Sequence, residues 1–274
     1  MLRSSNPILS KQDAFTPAAP QQGQNPYAQQ PYAQNPYGQQ PGYGQPPVST
    51  EPRMTFDDVI TKTALVMGLL VVSAALAWML IPDALYMPAL ILSSLVGFGT
   101  VLLVSFRRNV SPPLVFAYAA IEGVFIGMFS KMFESYYPGI VVQAVIATFV
   151  AAGVTLAAYK LFNIRVTPMF QKVVILSTVA FAAVMLVNFI FVLFSNSAGV
   201  RGDIVGPVSL LSVGISLIAI VLAVLNLILD FDYIEKGVAM GAPASESWRA
   251  AFGLTVTMVW LYVEMLRLIS YIRR

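Results

Sequence analysis

Seven long apolar windows dominate the chain, and short polar, turn-forming stretches separate them. The windows cover residues 59–81, 86–106, 114–133, 140–161, 173–194, 206–230 and 251–272. Each holds about 20–25 residues, which at about 1.5 Å per residue crosses a hydrocarbon core of about 30 Å. The strict alternation over about ten residues that marks a membrane barrel strand is absent. Pro82-Asp83, Ser111-Pro112-Pro113, Tyr137-Pro138-Gly139 and Ser195-Asn196-Ser197 punctuate the connections as ordinary turn formers. The pattern predicts an all-α integral membrane protein with seven transmembrane helices over 54–274.

Residues 1–53 follow another pattern. Positions 25–45 read NPYAQQPYAQNPYGQQPGYGQ, a degenerate Pro-Tyr-(Ala/Gly)-Gln repeat. Recurrent Pro removes backbone donors and fixes φ, so neither helix nor sheet runs through it. With almost no Leu, Ile or Val, the segment buries too little apolar surface to offset its ordering entropy. The composition predicts a disordered cytoplasmic tail. It serves either as a solvated spacer or as a multivalent Tyr/Gln segment that binds partners.

Composition narrows the chemistry. Of 274 residues, 57% are hydrophobic and 11% charged, far below the quarter usual for a soluble domain. The chain has no Cys, which removes thiol nucleophiles, thiolate metal sites and disulfides. It also has no His, which removes the commonest general base and zinc ligand. A serine triad, an HExxH metalloprotease and a His-dependent intramembrane protease are thereby excluded. No enzyme and no cofactor are expected. The net charge of +3 comes without a basic cluster, so nucleic acid is not an expected partner.

Lys and Arg set the orientation. Arg107, Arg108, Lys160, Arg165, Lys172, Lys236 and Arg249 fall in the even-numbered connections, against Lys131 and Arg201 in the odd ones. The amino terminus is therefore expected in the cytoplasm of a cell (plasma or inner) membrane. The basic end Arg273-Arg274 runs against this, because seven spans place it outside. A re-entrant last segment would reverse that; seven full spans are the reading adopted. Gly97 and Gly99 in the second window, and the GxxxG pair Gly123 and Gly127 in the third, are expected at close helix contacts.

Ionisable residues deep in a bilayer are costly and mark function by default. Glu122 lies nine residues into the third window. Asp230 and Asp232 lie at the end of the sixth, and Glu264 lies deep in the seventh. Glu264 and Arg267 share a helix face. Bland readings stand beside the functional one. Asp232, Glu235 and Lys236 read as solvated loop charges, Glu264 with Arg267 as structural glue, and Glu122 as a neutral hydrogen bonder. Asn188 and Asn226 read as interhelical hydrogen bonders. No Lys stands mid-way along the last span, which argues against a retinal pump. The functional reading is a carboxylate pair that binds a cation or proton. Two close carboxylates resist ionising together, so such a pair senses pH without His. Oxygen ligands suit Ca²⁺. Asp230 and Glu264 meet only if the last helix begins outside the bilayer, so it is expected to start near Ser245, with Ser245 and Ser247 as plausible N-caps.

These residues resemble the Bax inhibitor family of seven-span proteins over about 54–271. Leu229-Asp230 with Ile234 resembles the family's Asp-x-x-x-Ile element. Tyr262-Val263-Glu264-Met265-Leu266 resembles its Leu-Tyr-Leu-Asp motif, and Phe106-Arg107-Arg108 the basic end of its second span. Ser4-Ser5-Asn6-Pro7, Asp57-Asp58, Glu122-Gly123 and Gly241-Ala242-Pro243 resemble a bacterial subgroup. The resemblance implies a central last helix surrounded by the other six, and a Ca²⁺-permeable leak closed by a pH-sensitive carboxylate pair with an Arg partner. Carried over, Asp230 and Glu264 are the pair, a candidate Ca²⁺ or proton site with Ca²⁺ as permeant ion. Arg107 is the Arg; Asp232, Arg267 and Glu122 complete the gating network. The sequence departs from the family in having Glu for the second Asp, and Arg267 where Asn is frequent. The resemblance also implies association with a membrane protease. Two functions follow: a pH-sensitive cation leak protein, and, as the alternative, a non-conducting membrane protein that modulates a protease. Oligomeric state is not legible.

Overall fold

The computed structural model describes residues 52–107, 110–195, 199–202 and 204–274. The expected tail lies, as far as residue 51, outside them. Seven helices follow in order: α1 Phe56–Leu80, α2 Tyr86–Phe106, α3 Pro112–Tyr136, α4 Ile140–Leu161, α5 Pro168–Phe194, α6 Leu210–Ala239 and α7 Glu246–Ile272. All seven are long and apolar enough to cross a membrane. Among the described residues the extended pairing is a single bridge, Arg53 with Pro243.

Local chemistry fixes where the helices begin. Thr55 accepts the Asp58 N–H at 3.1 Å, and Asp57 and Asp58 place negative charge on the first turn of α1. Thr167 accepts the Phe170 N–H at 3.2 Å, and Pro168 starts α5. Gly139, at φ 83°, opens α4, and the Glu134 carboxylate takes the N–H groups of Gly139 at 2.5 Å and Val141 at 3.1 Å. Two boundaries bear on the site. Helix α6 runs nine residues past Asp230, to Ala239, because no proline interrupts it before the Gly241 turn at φ 63°. Asp232, Glu235 and Lys236 therefore stand on a helix, not in a loop. Helix α7 opens at Glu246, near the start expected from the sequence, but Ser245 before it lies in helical dihedrals and its side chain caps no N–H.

Helix α7 is the axis of the bundle. It packs on α1, α3, α4 and α6, whereas α2 lies on α3 and α5 lies on α6. The last helix is thus central, but four helices touch its backbone rather than six. The α1–α3 contact is the closest. A Cβ at Gly123 would lie 2.5 Å from the Leu70 carbonyl, and one at Gly127 would strike the Ala74 carbonyl. The GxxxG pair therefore brings two backbones together, the use such pairs have in membranes. Gly97 abuts Glu122 of α3, whereas Gly99 has open space and packs nothing. Large apolar side chains such as Met79, Phe98, Phe149, Leu176 and Ile218 face outward. That is the arrangement of a protein whose solvent is hydrocarbon.

Each end is tied down. Where α1 starts, the Met54 N–H donates to Ala242 O at 2.7 Å and the Ala244 N–H to Pro52 O at 2.8 Å. Lys62 joins Asp58 at 2.7 Å, donates to Ala244 O at 2.9 Å and sits 5.1 Å over the Trp248 ring. At the opposite end, Arg273 donates to Tyr137 O at 3.3 Å and Pro138 O at 3.0 Å, and Arg274 to Gly206 O at 3.3 Å. The basic carboxyl end caps carbonyls of the α3–α4 and α5–α6 connections. Helix α7 is a full 27-residue helix, not a re-entrant hairpin.

Candidate functional site

Glu264 is 3% exposed on the central helix. A charge held there needs a partner, because an unpaired buried ion is costly. The partner is Arg201, 8% exposed, which stands on a 3-10 turn, Gly199–Arg201, between α5 and α6. Its Nη1 lies 2.7 Å from Glu264 Oε1 and 2.9 Å from Oε2. Its Nε reaches Met185 Sδ at 3.1 Å, and its guanidinium lies 5.7 Å from the Phe181 ring centroid. Tyr271 donates its hydroxyl to Arg201 O at 3.2 Å. The connection thus turns back among α5, α6 and α7.

Asp230 forms a second, separate station. Its Oδ2 accepts the Thr257 hydroxyl at 2.7 Å, and its Oδ1 lies 3.2 Å from where a Cβ would stand on Gly253. The missing side chain at Gly253 is what admits the carboxylate against α7. The Thr257 hydroxyl also lies 3.1 Å from Gly253 O, so it has an acceptor whether Asp230 is charged or protonated. Thr257 and Glu264 are seven residues apart, two helical turns or about 10 Å. Asp230 of α6 therefore meets α7 about two turns from Glu264, and the two do not form a pair. Asn226, one turn before Asp230, donates to Thr178 Oγ1 of α5 at 2.8 Å, which bears out its reading as an interhelical hydrogen bonder.

The other sequence-derived residues lie apart from these stations. Glu122 faces α2, its Oε2 2.7 Å from where Gly97 would carry a Cβ. Asp232 pairs with Lys236 at 2.7 Å, one turn along α6. Arg267 sits 5.3 Å from the Phe129 ring centroid, with Arg201, Glu264 and Tyr271 among its neighbours. Arg107 is exposed at the end of α2, where its carbonyl faces Arg249 Nη2 at 3.5 Å. Among the described residues no group of three or more carboxylates gathers to hold a metal ion.

Seven apolar helices with the last one central are what the resemblance implied; its carboxylate pair is replaced here by two separate stations, partly buried Asp230 on α6 and buried Glu264 on α7. Residues 6–274 match the sequence model of the family described as Bax inhibitor 1 like. The chain belongs to that family. No curated protein matches it. In this Bax inhibitor 1 like protein, Arg201 rather than Arg107 is the partner of Glu264. The reason is packing: α2 lies on α3, and Arg107 at its end is exposed, meeting α7 through its carbonyl at Arg249. Sequence reasoning set Arg201 aside as a loop charge. The signal was there: it stands between Gly199 and Gly202, at φ 66° and 68°, in a connection flanked by apolar windows.

Proposed function

We propose that this protein is a pH-sensitive cation leak of the cell membrane, its amino terminus cytoplasmic, with Ca²⁺ as permeant ion and Asp230 and Glu264 along the ion's path. The carrying observation is that Asp230 and Glu264, carboxylates within the two final membrane-spanning helices, each have a polar partner inside the bundle. A bilayer protein keeps such groups where ions or protons travel. Asp230 meets Thr257 across the α6–α7 contact, and Glu264 of α7 meets Arg201 of the α5–α6 connection. Ionised Glu264 attracts Arg201 and favours the closed bundle.

The test is Ca²⁺ flux into liposomes carrying the purified protein, stepped from about pH 8 to about pH 5, the range in which carboxyls raised by burial titrate. Flux is expected to rise on acidification. Asp230→Asn combined with Glu264→Gln is expected to abolish that response. Flux equal to that of empty liposomes at every pH overturns the leak reading.

A further inference from the structure

We propose that the groove between α1 and α4 binds one phospholipid of the surrounding membrane, an acyl chain lying along the groove and its ester carbonyl meeting a hydroxyl pair, Ser130 and Tyr262. The backbones of α1 and α4 do not approach each other. Between them, α3 and the central helix α7 floor a cavity of about 380 Å³, within the about 300–1,000 Å³ usual for ligand sites. Its walls carry apolar side chains such as Leu70, Val71, Ile126, Val145 and Phe149, interrupted by the hydroxyls of Ser130, Thr148 and Tyr262. Thr148 is satisfied within α4, where it donates to Ala144 O at 2.7 Å. Apolar walls of this kind give water too few partners to stay. The rims, Val71 and Met79 on α1 and Phe149 on α4, are exposed on the outward, lipid-facing surface, so the open side of the groove faces hydrocarbon.

The depth of the groove matches one leaflet. Gly123 meets Leu70 and Gly127 meets Ala74, so α1 and α3 run side by side in one direction, and Ser130 stands level with Ala77 and Trp78. The next residue, Lys131, pairs at 2.9 Å with Asp83, just past the end of α1. These charges mark the membrane–water boundary, the level at which Trp is enriched. From Trp78 down to Met67, both on the wall, α1 descends about 16 Å at about 1.5 Å per residue. Half of a hydrocarbon core of about 30 Å is about 15 Å. A chain that enters at the boundary and lies along α1 therefore ends where its leaflet ends. The boundary end also carries an unused donor. Ser130 Oγ and Tyr262 Oη lie 2.6 Å apart, 4% and 9% exposed. Each hydroxyl brings one proton, and the bond between them uses one. Among the described residues the second proton has no acceptor. A buried donor left unmet is costly, and a group that accepts without donating relieves it. The ester carbonyl of a phospholipid is such a group, and it lies at this level of a bilayer, between headgroup and chain.

The test uses the full chain in liposomes that contain phosphatidylglycerol with a photoreactive diazirine midway along one acyl chain. After irradiation, labelled residues are mapped by mass spectrometry of peptides. Label is expected on Val259 and Tyr262 of α7, buried residues that bulk lipid does not reach, as well as on lipid-facing Val179 and Val187 of α5. Ala75→Trp fills the groove from an exposed position on α1 and should remove most of the α7 label. Val142→Trp, exposed on α4 outside the groove, should leave it unchanged. Ester-linked phosphatidylcholine should compete for the native site about tenfold better than its ether-linked analogue, which lacks the carbonyl; that factor is the worth of one hydrogen bond. Ser130→Ala/Tyr262→Phe should abolish the preference. The ester and ether comparison is made on the native chain, so it holds even where a variant fails to fold. Native α7 free of label overturns the site. Equal competition by ester and ether lipids overturns the carbonyl contact. Protection of both rims in a protein whose mass by light scattering is that of two chains assigns the groove to a second copy and overturns the lipid.

Discussion

At the scale of single residues, the two members of the buried ion pair are not equivalent. Glutamate can shed its charge by taking a proton, whereas arginine stays protonated in proteins. Glu264→Gln strands Arg201 as a buried, unpaired cation; Arg201→Gln leaves a carboxyl that can neutralise itself. Glu264→Gln is therefore expected to destabilise the protein by about 3–5 kcal/mol, the range for breaking a buried pair. Arg201→Gln is expected to cost clearly less. Thermal unfolding of the two variants in the same detergent checks the order, and equal melting temperatures would contradict it. Replacing both residues by apolar ones of similar volume should recover most of the loss, because a buried pair adds little over good packing. At Asp230 the decisive neighbour is a missing side chain. Gly253→Ala puts a Cβ 3.2 Å from Asp230 Oδ1 and should displace the carboxylate from Thr257.

At the scale of helices, glycines that look alike in sequence do different work. Gly127 lies against the Ala74 backbone, which cannot retreat without separating α1 from α3. Gly127→Val is expected to cost at least the 1–3 kcal/mol of an overpacked core. Gly99 faces open space, and Gly99→Ala should be neutral or slightly stabilising through helix propensity. Denaturant titrations of both variants separate the two cases. Helix α6 shows how an element boundary alters a chemical reading. Its last nine residues carry Asp232 and Lys236 as a one-turn ion pair, worth a few tenths of a kcal/mol when partly exposed. A one-turn pair whose lysine is exposed is a poor gate, and Asp232→Asn should leave the acid response of the flux unchanged.

At the scale of the whole molecule, an odd number of full spans places the two ends on opposite sides. The exposed residues Phe162, after α4, and Phe194, at the end of α5, therefore lie on opposite faces of the bilayer. In this cysteine-free chain, Phe162→Cys and Phe194→Cys should react with an impermeant thiol reagent from opposite sides of oriented vesicles. Labelling of both from one side would break the seven-span topology. Arg273 and Arg274 show why a charge rule drawn from loops strains at the last helix. They are engaged with carbonyls of the neighbouring connections, so their positions answer to capping as well as to orientation.

Much of this was legible in the chain alone. Helix count and approximate bounds follow from apolar windows matched to a bilayer, because hydrocarbon forces every backbone polar group into a local hydrogen bond. The start of α7 at Ser245 and Glu246, the GxxxG contact of Gly123 and Gly127, and the buried state of Glu264 follow from equally local rules. Pairing does not. That Arg201 rather than Arg107 meets Glu264, and that Asp230 instead meets Thr257, depends on which helices touch and at what depth. Lipid is as apolar as the helix faces, so hydrophobicity sets insertion but barely ranks one helix neighbour over another. Close packing at glycines and a few interior polar contacts make that choice, and both exist only once the bundle is assembled.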